Sequence, residues 1–283
     1  MTSQGTRILE RLQQWADKEG KLPDYLELYR ELLSAQASLK AKLKQHALPP
    51  EEVTTQRLEA DTPMLKFEEI GVDWKQFASL LKKTGDILAK HELIKKDEQR
   101  ALKAMVNDTA FLKSATQAFY DGHTPPQKDY SHLSDESLDT MLHIALWPFL
   151  SKCAEALAPC IRHDRWARNI CPACGGKPDF GFLEKEVGAK WLLCSRCDTQ
   201  WAFRRIECPF CGNWDAHTLS YMASDNGLHR LYLCDRCHTY LKVVDLRRAQ
   251  SEMLLPLERL TTLDMDRQGQ EKGYKPGGHP AAK

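Results

Sequence analysis

The pattern of apolar and polar positions divides the chain near residue 168. Before that point apolar side chains recur at the three- and four-residue spacing of amphipathic helices. We expect helices over residues 6–18, 24–46, 97–120 and 134–160, the last kinked or broken at Pro148, and a further helix after Asp73 that carries apolar residues from Trp74 to Leu88. Residues 47–72 show no clear periodicity and are predicted to form an ordered loop.

After Cys171 the pattern changes to short strand-like runs that lead into or follow pairs of cysteines. Residues 250–263 then suggest a short helix, and residues 268–283, rich in Gly, Pro and Lys, suggest disorder. The predicted fold class is α+β: an N-terminal all-helical domain followed by two tandem rubredoxin-like or zinc-ribbon-like modules. The predicted parts are the helical domain 1–168, the modules 169–205 and 206–247, and the segment 248–283 with its short helix and disordered tail.

Cysteine placement is the most informative feature of the composition. The chain has 283 residues and ten cysteines; the first is Cys153, and eight fall between Cys171 and Cys237. No run of about 18 apolar residues is present, and the first twenty residues are polar, so we expect a cytoplasmic protein. A reducing compartment disfavours disulfides and favours a metal site for clustered thiols.

The eight clustered cysteines form four CxxC pairs that repeat one pattern twice. The pairs are Cys171/Cys174, Cys194/Cys197, Cys208/Cys211 and Cys234/Cys237. The first and third pairs read CPxCG, whereas the second and fourth read CxRC, as in a tandem duplication. The duplication favours two sites built from sequential pairs; a cross-braced arrangement is the alternative.

Four thiolates in a tetrahedron suit Zn²⁺ and also a single iron ion, so the ligands leave zinc and iron open. The metal in such a site can simply stabilise hairpins whose hydrophobic cores are small, or it can take part in the function. The motif does not separate these two interpretations. A thioredoxin-like redox dithiol is disfavoured because no βαβ unit surrounds the pairs.

Local charge argues against nucleic-acid binding, although the whole chain has a net charge of +1. Residues 171–237 contain eight Lys or Arg and eight Asp or Glu, so eight thiolates holding two divalent ions would make this region acidic. The pair Arg204 and Arg205 is the local exception and is interpreted as a solvated strand end. A zinc-ribbon nucleic-acid-binding protein and an iron-containing electron carrier remain the alternative functions.

The other candidates are assigned structural roles. Cys153 and Cys160 lie seven residues apart and should pack on one helix face. Four histidines near the cysteines could contact a metal site, with His238, directly after Cys237, the best candidate to support a ligand. The other three are His163, His217 and His229. The sequence nominates no catalytic residues, and we expect a protein that is not an enzyme.

The chain resembles the formate dehydrogenase accessory protein FdhE family. The resemblance rests on ICPACG at 170–175, WLLCSRCDTQW at 191–201, RRIECPFCG at 204–212 and CDRCHTYLK at 234–242. It extends to the LDMD and GY motifs near residues 263 and 273, and more loosely to the helical half.

The resemblance implies a cytoplasmic factor that assists the maturation of respiratory formate dehydrogenases before their export. Its partner would be the catalytic subunit of that enzyme, and it would leave the finished enzyme. The resemblance also implies rubredoxin-like modules with iron held by the eight CxxC cysteines. The second knuckle of each repeat, CSRCD or CDRCH, lacks the glycine of a typical rubredoxin knuckle.

Overall fold

The computed structural model describes residues 4–44, 48–125, 130 and 132–278. The helices are α1 Gln4–Glu19, α2 Asp24–Lys42, α3 Glu51–Glu59, α4 Trp74–Lys90, α5 Lys96–Met105, α6 Thr109–Asp121, α7 Asp135–Leu157, α8 Leu255–Thr261 and α9 Leu263–Glu271. The strands are β1 Pro178–Leu183, β2 Lys190–Cys194, β3 Gln200–Phe203, β4 Leu219–Ala223, β5 His229–Cys234, β6 Thr239–Asp245 and β7 Lys275–Pro276. Within the described ranges, no helix is long and apolar enough to cross a membrane.

The chain forms two compact units, Met1–Ala47 with Phe67–Cys153, and Leu48–Lys66 with Ala154–Lys283. This division keeps both four-cysteine modules in one unit. The boundaries predicted at residues 168, 205 and 247 stay a prediction. The predicted fold class is confirmed: helices dominate the N-terminal part, and strands with two four-cysteine groups follow.

The first unit is built from helices whose apolar faces meet in a buried core. In α4 the side chains of Phe77, Leu81 and Leu88 are buried, and the Asp73 carboxylate caps the helix by accepting from the backbone N–H groups of Lys75 and Gln76. Helix α7 continues through Pro148, so no break occurs there, and the alternative of a kink stays a prediction.

Three further expectations need correction. The helix predicted over 97–120 is two helices, because the Asp108 side chain accepts from the Phe111 N–H at 2.9 Å and starts α6. The loop predicted over 47–72 contains α3, which begins directly after Pro50. The disorder predicted for 268–283 is wrong as far as residue 278, where the chain continues α9 and adds β7. Residues 279–283 and the predicted helix end at His46 lie outside the described residues.

The second unit contains one seven-stranded sheet in the order β3-β2-β1-β6-β5-β4, with β7 beside β6. Each module contributes an antiparallel three-stranded meander, and β1 joins β6 in parallel. One face is covered by the C-terminal helices, where Leu255 packs with Phe180 and Val244, and Met265 with Leu231 and Tyr240. The sheet therefore makes the two modules a single continuous layer.

Candidate metal centres

The first four-cysteine group is enclosed by the turn before β1 and the turn between β2 and β3. The Sγ atoms of Cys171 and Cys197 lie 3.6 Å apart, those of Cys174 and Cys194 lie 3.6 Å apart, and those of Cys174 and Cys197 lie 3.4 Å apart. All four residues are at most 3% exposed.

The second group repeats this arrangement before β4 and between β5 and β6. The Sγ atoms of Cys208 and Cys237 lie 3.7 Å apart, as do those of Cys211 and Cys234. Cys208 and Cys234 are buried, Cys237 is half-buried and Cys211 is exposed. The grouping is therefore sequential, as the duplication favours, and the cross-braced alternative does not occur.

The sulfur geometry fits a tetrahedral metal ion. Four sulfurs at a Zn–S distance of about 2.3 Å stand about 3.8 Å from one another. The Sγ–Sγ distances of 3.4–3.7 Å are near this value, whereas a disulfide requires about 2.05 Å. Each group could hold one metal ion. The donor set accepts zinc or iron, so the metal is not determined.

Left-handed backbone conformations close all four knuckles. Gly175 and Gly212 follow the first knuckle of each module with φ of 73° and 68°. Asp198 and His238 follow the second knuckles and take φ of 61° and 50° although they are not glycine. Asp and His are among the non-glycine residues enriched at positive φ. The missing glycines therefore do not alter the turn.

Two polar residues that the sequence analysis missed contact the sulfurs. The Thr199 hydroxyl lies 3.1 Å from the Cys197 Sγ, and the Asn213 side-chain amide donates to the Cys234 Sγ at 3.7 Å. Both are buried, and each stands two residues after the second cysteine of a knuckle. That shared offset is the sequence signal that could have identified them.

Burial raises the pKa of several of the clustered thiols and so favours their protonated form. It raises the pKa of the Cys171 and Cys197 thiols well above the ordinary value. Burial likewise raises the pKa of Cys208 in the second group. Four thiolates therefore require a cation among them, and metal binding would release protons.

The two groups differ in what covers them. The backbone N–H groups of Met64 and Leu65 donate to the carbonyls of Pro172 and Ala173 in the first knuckle, at 2.8 and 3.0 Å. The Arg259 guanidinium donates to the Cys194 carbonyl at 2.6 Å. The second group has an exposed cysteine, Cys211, so solvent reaches the second group far more easily than the first.

His238 is placed beside the second group but faces another residue. Its ring lies 5.8 Å from the ring of Tyr274, and its carbonyl accepts from the Lys275 N–H. Within the described part of the chain, its ring makes no hydrogen bond to a cysteine sulfur. Its supporting role stays a prediction.

The remaining candidates lie outside both groups. Cys153 is buried, donates to the Ile70 carbonyl at 3.7 Å, and has its pKa raised to about 11 by burial. Cys160 is half-buried. His163 packs on Trp191, and His229 pairs with Glu258. His217 lies in the short turn before β4, where the Asp215 carboxylate accepts from its backbone N–H.

These features define a class of protein: a helical unit followed by two tandem four-cysteine modules on one sheet. Residues 170–205 match the family described as FdhE, central domain. A Protein FdhE homolog of Aquifex aeolicus is 34% identical over 147 residues, which are half of each chain. The homolog of Haemophilus ducreyi is 27% identical over 285 residues, covering 96% of this chain and 87% of that one.

A solved structure shares the fold. The crystal structure of the FdhE protein from Pseudomonas aeruginosa superposes with a TM-score of 0.68 at 24% identity, covering 97% of this chain and 94% of that one. The chain is thus similar to FdhE proteins, over half of its length at 34% identity and over nearly all of it at 27%.

Proposed function

We propose that this chain is a cytoplasmic accessory factor in formate dehydrogenase maturation, and that it is not itself an enzyme. It would bind the catalytic subunit of a respiratory formate dehydrogenase before export and assist its assembly. The observation that carries the proposal is the pair of four-cysteine groups on one sheet, in a chain similar to FdhE proteins.

The proposal assigns all eight CxxC cysteines as ligands of two metal ions. Support comes from Sγ–Sγ distances near those of a tetrahedral site and from the burial of six of the eight cysteines. The ions would hold the β1–β3 and β4–β6 meanders in the shape that the partner recognises. Iron follows from the family resemblance, and zinc fits the donors equally well.

Metal analysis tests the ligand assignment. Anaerobically purified protein should contain two metal ions per chain, and Cys174→Ser and Cys211→Ser should each lose one. The matched control is Cys160→Ser, a half-buried cysteine outside both groups, which should keep two. Loss of metal from the control, or full metal content in both ligand variants, would overturn the assignment.

Co-purification tests the partner. The tagged chain should retain the formate dehydrogenase catalytic subunit from cytoplasm in which export is blocked, and Cys160→Ser should retain it equally well. Cys174→Ser, which removes a buried ligand, should retain less. If the wild-type chain retains no catalytic subunit while its metal content is complete, the partner is wrong and the metal assignment stands.

A further inference from the structure

A cavity of about 260 Å³ opens on the sheet face opposite the C-terminal helices. Tyr221, Tyr232 and Leu241 are direct neighbours across β4, β5 and β6, so they share that face and line the cavity together. Residues 205–210, at the junction of the two modules, also line the cavity. The cavity thus lies against the sheet at the junction of the two modules, directly beside the second four-cysteine group.

The walls combine aromatic and aliphatic surface with a mouth open to solvent. The rings of Tyr221 and Tyr232 stack with centroids 5.5 Å apart. Tyr221 is 53% exposed and Ile206 is 62% exposed, which leaves apolar surface at the entrance. An apolar or aromatic group of a ligand would be buried well here.

A buried lysine is among the residues that line the cavity. Lys190 is only 3% exposed, and its Nζ donates to the Glu207 carbonyl at 2.8 Å. The same Nζ lies 5.9 Å from the ring centroid of Tyr232, another wall residue. Among the residues that the structure describes, no carboxylate lies within ion-pair distance of this Nζ. An ammonium group has three donors, and a buried one is stabilised by an anionic partner.

Within the described part of the chain, the walls hold two more cations and one carboxylate besides Lys190 and the two cysteines. Arg205 and Arg230 also line the cavity, whereas Glu207 is the one carboxylate among the described wall residues. The Glu207 carboxylate is already bound by Arg204 at 3.1 Å. Arg230 donates to Asp245 at 2.7 Å and lies over the ring of Tyr221 at 4.9 Å.

We propose that this cavity binds a compact organic anion in which a carboxylate is attached to an apolar or aromatic group. The ring or alkyl group would pack between Tyr221, Tyr232 and Ile206, and the carboxylate would accept from Lys190. Two sources carry this chemistry: a free carboxylic acid, or the C-terminal residue of a polypeptide. The walls also include Cys208 and Cys234, so a bound anion would lie beside the second four-cysteine group.

Calorimetric titration of the intact, metal-loaded chain tests the proposal. The probes are 3-phenylpropionate and a short peptide ending in phenylalanine, each compared with its neutral amide. At least one acid should bind saturably, and its amide should bind about tenfold more weakly because it cannot supply a charged acceptor to Lys190. The acid that binds identifies the source. Absence of saturable binding by both acids, or equal binding by acid and amide, would overturn the proposal.

Variants locate the binding. Lys190→Met should weaken binding about tenfold, whereas Lys185→Met, an exposed lysine two residues after β1, should leave it unchanged. Tyr221→Ala, at an exposed position, keeps the proposal testable if Lys190→Met does not fold, and should weaken binding severalfold. Binding that survives the Tyr221 change undiminished would place the ligand elsewhere. If Lys190→Met only lowers the metal content and wild-type chain binds neither acid, Lys190 serves the metal centre and the proposal fails.

Discussion

Replacing Arg259 with methionine tests how α8 stabilises the first four-cysteine module. Its guanidinium reaches three acceptors in that module: the Asp179 carboxylate at 3.0 Å, the Asp198 carboxylate at 2.6 Å and the Cys194 carbonyl at 2.6 Å. Cys194 begins the second knuckle and Asp198 directly follows it, so one side chain contacts both ends of the β2–β3 turn. Methionine keeps much of the aliphatic volume and removes every donor.

The expected cost follows from burial. Removing one partner of a buried ion pair costs about 3–5 kcal/mol, because the charge left behind has neither water nor a partner. The Asp198 side chain is 7% exposed and would gain little water, whereas the Asp179 side chain is 28% exposed and would recover some hydration. We therefore expect a loss near the lower limit, about 3 kcal/mol in the free energy of unfolding.

Urea unfolding of the metal-loaded protein, followed by fluorescence, measures this loss. Arg267→Met is the matched control: this α9 arginine is 75% exposed and its contact with Glu271 is 3.9 Å, so we expect a change below about 0.5 kcal/mol. The metal of the first group should also leave faster in Arg259→Met than in the control. If the two variants unfold at the same urea concentration, the contacts of Arg259 do not stabilise the module.

Three further changes have defined outcomes. A chromogenic chelator should remove metal in two phases, and Cys211→Ser should abolish the faster phase because Cys211 is the exposed ligand; a single phase would contradict unequal access. Thr84→Val should be neutral or stabilise the protein by up to about 1 kcal/mol, since the buried Thr84 hydroxyl has no partner among the described residues. Thr116→Val should cost about 1 kcal/mol, because the Thr116 hydroxyl donates to the Leu112 carbonyl at 2.6 Å. Thermal unfolding that orders the two variants the other way would refute this. Burial lowers the pKa of His163 below 6.5, so the folded state binds this proton more weakly than the unfolded chain does. The free energy of unfolding should therefore fall as pH decreases below about 6.5, by at most about 1.4 kcal/mol per pH unit. His163→Gln should flatten that dependence in urea titrations, and an unchanged slope would show that another group is responsible.

The four-cysteine groups could be predicted because their signal is local. A CxxC turn brings its two sulfurs together within five residues, and the duplication then selects the partner turn. The same reasoning failed for the covers of these turns. Met64 and Leu65 bond to the first knuckle from more than one hundred residues away in sequence, and no spacing rule connects them to it.

The errors in the helical half have a similar origin. Apolar periodicity continues across residues 106–108, but the Asp108 carboxylate competes with it by capping a new helix. Helix α3 buries only Thr54 among its described side chains, so it has little periodicity to detect. Its remaining signals were Pro50 before the first turn and the acidic pair Glu51 and Glu52 within it.

The C-terminal segment shows why composition misled the prediction of disorder. Residues 268–278 are rich in Gly, Lys and Pro, which lowers their intrinsic tendency to fold. The structure orders them through tertiary contacts: the Lys275 N–H donates to the His238 carbonyl at 2.7 Å, and the Tyr274 hydroxyl donates to the Asp235 carboxylate at 2.5 Å. Both acceptors lie in or beside the second knuckle of the second module.

The head-to-tail order of the sheet explains why two copies of one motif have different surroundings. Because β1 of the first module joins β6 of the second in parallel, the modules follow one another in the same direction and no equivalent edges meet. Each module therefore has different neighbours, and segments from elsewhere in the chain complete them differently. The first group, whose four cysteines are buried, is suited to stabilising the fold. The second group has an exposed cysteine and is suited to exchanging its metal or contacting another molecule. The structural and the functional interpretations of the motif thus need not compete, since the duplication provides one group suited to each.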